Sequence, residues 1–169
     1  MERLTIATDG SRWSGDAAGC AFAMQWYDGH SSLRIVGFLR AIAPVAHAEF
    51  AELAGIELAF EHLLWDLEHG NVRGEVGHID FVSDCLNAVN KINAVRSGTS
   101  EYEGTRVRRV VEMAEQVLGE YGIVVSFRWV RRNTLPEQQD ADAWANEASS
   151  LSWEHGLVEE QTITRRKRS

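Results

Sequence analysis

Three strand-like runs follow one another within the first 42 residues, and every later strand-like run is preceded by a helical one. This change of rhythm restricts the fold more than any other feature of the chain. Residues 3–8, "AAGCAFAMQWY" (17–27) and "SLRIVGFLRA" (32–41) are rich in β-branched and aromatic residues, and the last two are separated by "DGHS". Asp-Gly between two such runs is hairpin chemistry, so three consecutive antiparallel strands are expected. From about Val45 to Glu68 the period becomes helical, with Leu53, Ile56, Ala59, Phe60, Leu63, Leu64 and Leu67 on one stripe. Glu57, Glu61 and Glu68 then fall on the outward face as solvated charges.

A fourth strand is expected at 77–83, a helix at 84–95, a polar loop at 96–104 and a helix from Thr105 to Glu120. That last helix buries Val107, Val110, Val111, Ala114, Val117 and Leu118. A fifth strand at 123–130 and a short helix at 138–149 follow. A strand returning through a helix is normally a right-handed crossover to a parallel neighbour. The expected architecture is therefore α/β, with a five-stranded mixed sheet in the order 3-2-1-4-5, strands 1 to 3 being antiparallel. Residues 1–150 are expected to form one domain, and 151–169, which show no periodicity, a polar and basic flexible tail.

Composition sets the compartment and the partners. Cys20 and Cys85 are the only cysteines, and neither has metal-ligand spacing around it, which argues against a zinc site or a disulfide framework. No signal-peptide pattern or membrane-length apolar run is present, so a soluble, cytoplasmic protein without a membrane partner is expected. The net charge of −8 is unevenly spread: residues 91–132 carry +3 and "RRKR" at 165–168 carries +4, leaving the rest at −15. That asymmetry permits a basic binding face on an acidic body, although exposed helices also carry charge for solubility alone.

The first strand stops on "IATDGS", with Asp9 followed by Gly10. Asp-Gly at a strand end is ordinary turn chemistry, and equally a way to hold a carboxylate for catalysis. The topology offers a criterion. Parallel strands 1 and 4 end side by side where the connections change direction, the usual place for a site in an open α/β sheet. Asp9 ends the first and Asp84 the fourth, and neighbouring carboxylates need a cation to offset their repulsion. Glu52, at the sheet-facing edge of the first helix, supplies a third; Glu49, one turn earlier on the same face, is its rival. In the last helix Asp142 is followed by Ala145 and Ala148 at helical spacing and can approach the sheet, whereas Asp140 reads as favourable helix-dipole chemistry.

In this order "IATDGS", "AELAGIELAF", "FVSDCLNAV" and "FRWVRRNTLPEQQDADAWANEA" resemble the successive motifs of type 1 ribonuclease H, over residues 3–148. The resemblance implies a ribonuclease H-like fold and an endoribonuclease that hydrolyses the RNA strand of RNA/DNA hybrids. It places the metal-binding and catalytic carboxylates on Asp9, Glu52, Asp84 and Asp142, which would hold two Mg²⁺ or Mn²⁺ ions. Hard carboxylate oxygens suit those ions. It also implies substrate contacts at Gly10, Ser11, Arg106, Arg108, Arg109, Arg132 and Asn133, with bare Gly10 letting the scissile strand approach the backbone beside Asp9. The chain is expected to act as a monomer.

Departures from the pattern keep two alternatives open. Many members carry a histidine in the loop before the last carboxylate, where "WVRRNTLPEQQ" offers only Arg132 or Asn133, so slower turnover is expected. "AHAEFAE" lacks the asparagine often found before the helix glutamate, and Leu86 stands where a polar substrate contact is common. Trp129 is expected in the core. The alternatives are a weak or inactive nucleic-acid-binding module of the same fold, and a related nuclease with a different substrate.

Overall fold

Side-chain alternation along the strands decides which helix covers which face of the sheet. A computed structural model describes residues 2–12, 17–27, 33–42, 47–72, 75–101, 104–155 and 161–168. Its elements are β1 (Glu2–Arg12), β2 (Ala18–Tyr27), β3 (Leu33–Ile42), α1 (Ala48–Glu68), β4 (Val76–Ser83), α2 (Leu86–Arg96), α3 (Thr105–Tyr121), β5 (Val124–Trp129), α4 (Pro136–His155) and β6 (Gln161–Arg168). Leu4, Ile6, Phe22, Ile79, Phe81 and Phe127 point to one face and form the main core with α1, α2 and α3. Ala7, Ala21, Ala23, Leu39 and Val82 point to the other, where Ala141, Ala145 and Ala148 of α4 pack on them. Small residues on both partners let α4 lie close to the sheet.

The sheet order is β5-β4-β1-β2-β3-β6. β4 is parallel to both β1 and β5, and the β1–β2 and β2–β3 pairs are antiparallel, so the expected 3-2-1-4-5 arrangement is present. The hairpin link expected at 28–31 lies outside the described residues. At the far edge the expectation fails: Gln161–Arg168, taken as part of a structureless tail, pair antiparallel with β3 as a sixth strand, and α4 runs on to His155. The basic run masked the strand because four consecutive cations erase any apolar alternation, and edge pairing through the backbone does not need one.

The first strand also differs in an instructive way. β1 does not stop at Asp9. Its parallel pairing with β4 ends at Ala7–Val82, but it continues against β2 as far as Arg12–Ala18. Asp9 therefore lies inside a strand at the point where one ladder ends and the other goes on. Gly10 has a packing role there: a Cβ on it would lie 2.3 Å from the backbone of Ala51 and Glu52. Gly55 completes the contact, since a Cβ there would be 2.7 Å from the carbonyl oxygen of Asp9. Helix and strand thus touch backbone to backbone.

Three further readings are corrected. Glu57 is buried, not solvated, and closes on Arg106 and Arg109 of α3. Leu118 and Trp129 are about half exposed instead of buried. Six of the eight basic residues in 91–132 are engaged within the chain: Lys91 with Glu49, Arg96 with the Val125 carbonyl, Arg106 and Arg109 with Glu57, Arg128 with Asp80, and Arg132 with Asp142. Most of the local positive charge thus has a partner within the chain, although Arg109, Arg128 and Arg132 remain more than half exposed.

The close crossing predicts that Gly10→Ala destabilises the fold by about 3 kcal/mol, because backbone rather than a movable side chain must give way. Gly119, in α3 with open space around its Cα, is the control. Gly119→Ala is expected to stabilise by about 0.5–1 kcal/mol. Urea denaturation midpoints of the two variants check both signs.

Candidate metal centre

Three elements deliver three carboxylates to one point. Asp9 comes from β1 just beyond its last pair with β4, Asp84 from the residue after β4, and Glu52 from the second turn of α1, set in place by the Gly10 contact. One oxygen from each lies within 4.8 Å of the others. Glu49 faces elsewhere and pairs with Lys91 at 2.7 Å, so the choice between the two glutamates falls to Glu52. Asp142, in the second turn of α4, stands across a small pocket also lined by Asp9, Asp84, Arg132 and Asn133.

The surroundings fix the cluster but supply little positive charge. The Gly10 amide donates to Asp9 Oδ1 at 2.9 Å. The Ser83 hydroxyl reaches Glu52 Oε2 at 3.5 Å while accepting from the Cys85 amide. Arg132 donates through Nη2 to Asp142 Oδ1 at 2.7 Å, and its Nε lies 3.8 Å from Asp84 Oδ2. Trp129 donates its indole N–H to the Asp84 carbonyl at 3.1 Å, which pins the backbone there. From sequence Trp129 is expected in the core, as a tryptophan in a strand usually is, and Ser83 is not singled out, since a lone serine before Asp84 carries no spacing signal.

These conditions show in the titration of the acids. Burial pushes Asp9 up to about 7, with Asp142 and Asp84 adding to the rise and a hydrogen bond with Glu52 opposing it. Glu52 is driven well above the ordinary carboxylate range by burial and then by Asp9. Asp84 is raised by burial and by Asp142, against the pull of Arg132. Asp142 ends below its ordinary value: burial pushes it up, but hydrogen bonds with Asp9 and Arg132 outweigh that. Three crowded carboxylates with, among the described residues, one guanidinium close by suit a hard divalent cation.

The remaining site candidates are placed as follows. Ser11 is tied to α4, 2.8 Å from Asn146 and 2.9 Å from Ser149. Asn133 lines the pocket in a left-handed conformation with φ 58°, which asparagine tolerates better than most residues. Arg106 and Arg109 sit on Glu57, five residues and an axial rise of about 7.5 Å beyond Glu52. Arg108, on the same turn of α3, is exposed. The structure therefore brings Arg132 and Asn133 to the carboxylates, ties Ser11 to α4, and pairs Arg106 and Arg109 with Glu57 further along α1.

A raised carboxylate binds more protons folded than unfolded between the ordinary value near 4 and its folded value, so its contribution to stability is full below about pH 4 and is lost as pH climbs through about 7. The metal-free protein should melt at progressively lower temperature from pH 5 to pH 8. Asp9→Asn should flatten that slope and raise stability at pH 8 by about 1 kcal/mol or more, roughly 3 °C for a chain of this size. Thermal melts in chelator across this range read both effects; parallel curves for the two proteins would contradict the assignment of the repulsion to Asp9.

No protein-family model matches the sequence, and no curated protein matches it. Solved structures do. An N-terminal RNase H domain from Mycobacterium tuberculosis, solved as a fusion with maltose-binding protein, is 19% identical, with a TM-score of 0.62 over 92% of this chain and 99% of that one. RNase H1 from the halophilic archaeon Halobacterium salinarum is 22% identical, with a TM-score of 0.58 over 88% of this chain and 98% of that one. LC11-RNase H1 in complex with an RNA/DNA hybrid is 15% identical, with a TM-score of 0.57 over 89% and 99%. The chain thus has the fold of the type 1 ribonuclease H domains, with its carboxylate cluster where β1 and β4 part.

Proposed function

We propose that this chain is a divalent-metal-dependent endoribonuclease that hydrolyses the RNA strand of RNA/DNA hybrids, using two Mg²⁺ or Mn²⁺ ions held by Asp9, Glu52, Asp84 and Asp142. The observation that carries the reading is the convergence of Asp9, Glu52 and Asp84 oxygens within 4.8 Å, facing Asp142, on this fold. The hybrid is suggested by the complex of LC11-RNase H1, which shares the fold. When bound, the ions would activate a water and stabilise the leaving 3′-oxygen of an in-line displacement.

The chain's own groups prepare that chemistry. Backbone contact between α1 and β1 holds Glu52 and Asp9 together against their repulsion, so the ligand oxygens are fixed before a cation arrives. The Trp129 indole and the Ser83 hydroxyl steady the segment carrying Asp84. Arg132 adds a permanent positive charge at the mouth of the pocket, where a phosphodiester must enter a strongly negative site. Leu86, exposed at the start of α2 beside Asp84, offers the substrate apolar contact in place of a hydrogen bond. Among the described residues, no helix is long and apolar enough to cross a membrane.

A labelled RNA/DNA hybrid incubated with Mg²⁺ or Mn²⁺ tests the proposal. Cleavage confined to the RNA strand is expected, abolished by chelation and reduced about 100-fold or more by Asp9→Asn or Asp84→Asn with folding intact. Double-stranded RNA and DNA run alongside should be cut more slowly. Preference for either would reassign the substrate, and full activity of both carboxylate variants would refute the proposed chemistry.

A further inference from the structure

The turn between β5 and α4 fixes the backbone from which one side chain projects. Its start is tied to β4 by the Val130 amide, which donates to the Ser83 carbonyl at 3.0 Å. The buried Gln138 side chain braces it from within: Oε1 accepts from the amides of Thr134 at 3.1 Å and Leu135 at 2.9 Å, and the amide nitrogen donates to the Val130 carbonyl at 3.3 Å. Thr134 Oγ1 closes on the Arg131 carbonyl at 2.6 Å, and Asn133 takes the left-handed conformation that reverses the chain. What this frame presents is Arg132, whose guanidinium contacts Asp142 at 2.7 Å and stands 3.8 Å from Asp84.

The placement divides the carboxylates unequally. Asp9, Glu52 and Asp84 are close enough to share a cation, whereas Asp142 already has one in Arg132. We propose that Arg132 is a tethered cation on the Asp142 side of the site, so that one divalent ion loads at Asp9, Glu52 and Asp84 and a second binds much more weakly until Arg132 leaves. This rests on the metal-site reading above and specifies the order in which that site fills. A guanidinium keeps its charge at any pH at which the protein folds, so protons cannot move it. A competing anion can: an entering phosphodiester offers the same bidentate geometry as a carboxylate. Arg132 is largely solvent-exposed and can swing without disturbing the core, its side chain being 64% accessible.

Mn²⁺ alone is the probe, titrated onto the full chain by calorimetry and followed in parallel by the paramagnetic resonance signal of the free ion. The wild-type protein should take up one ion in the tight class, with the second at least tenfold weaker. Arg132→Gln should tighten the second ion tenfold or more with little effect on the first, and Arg132→Lys, which keeps the charge, should stay close to wild type. Glu52→Gln should remove the tight class in every background. Two equal ions in the wild type, or unchanged second-ion affinity in Arg132→Gln, would overturn the role given to Arg132 while leaving the metal site standing. Mn²⁺ uptake that ignores Glu52→Gln would overturn the metal site itself, and this inference with it.

Discussion

The contact on which the rest depends is the crossing of α1 over β1, where Gly10 and Gly55 remove two side chains and let main chain meet main chain. Any larger residue at either point would push the helix away from the sheet and carry Glu52 away from Asp9. The same crossing accounts for how deeply α1 is buried. It lies between the sheet on one side and α3 on the other, and the turns after Glu52 face neighbours on almost every side. Glu57, one and a half turns on, is consequently buried and needs Arg106 and Arg109 to offset its charge. A single steric fact therefore sets the ligand geometry at one end of the helix and uses two arginines further along it.

Charge is handled differently at the two places. Around Glu57 the chain supplies partners of its own; likewise Asp80, almost fully buried, accepts from Ser126 and from Arg128. Around Asp9, Glu52 and Asp84 the described residues supply backbone and hydroxyl donors, and the nearby guanidinium of Arg132 is committed mainly to Asp142. A fold able to pair buried acids internally has left this group short of positive charge. That contrast separates a binding site from an ordinary buried ion pair more sharply than the number of acids does.

Much of this was legible in the sequence because it depends on period and order. The shift from consecutive strands to strand–helix alternation fixes five strands and their neighbours, and the neighbours place Asp9 beside Asp84. Glu52 could not be separated from Glu49 by spacing, since both share a helix face; the separation comes from Lys91 on α2, a long-range partner. Gly10 was visible but its purpose was not, because close approach belongs to the pair Gly10–Gly55 and not to either residue alone. Trp129 reads as core by composition, yet strand β5 is an edge of the sheet and its last residue projects beyond the cover of the helices. Strand β6 stayed hidden because its pairing is made by backbone groups that every sequence has.

The electrostatic shortage also sets the terms on which a cation would bind. Proton and metal compete for the same oxygens, and a carboxyl raised to about 7 is substantially protonated in a neutral solution. Binding of a divalent ion there would therefore expel a proton from Asp9 or Glu52, so the ion would gain less near pH 6 than near pH 8. Part of the ion's binding free energy would come from relieving repulsion that the backbone contact at Gly10 prevents the protein from relaxing away. Loosening that contact would let the acids separate and lower their affinity for protons and for the ion together, while forfeiting the packing of α1 on β1. The rigidity of the crossing and the avidity of the cluster are thus one property, set by the absence of two side chains.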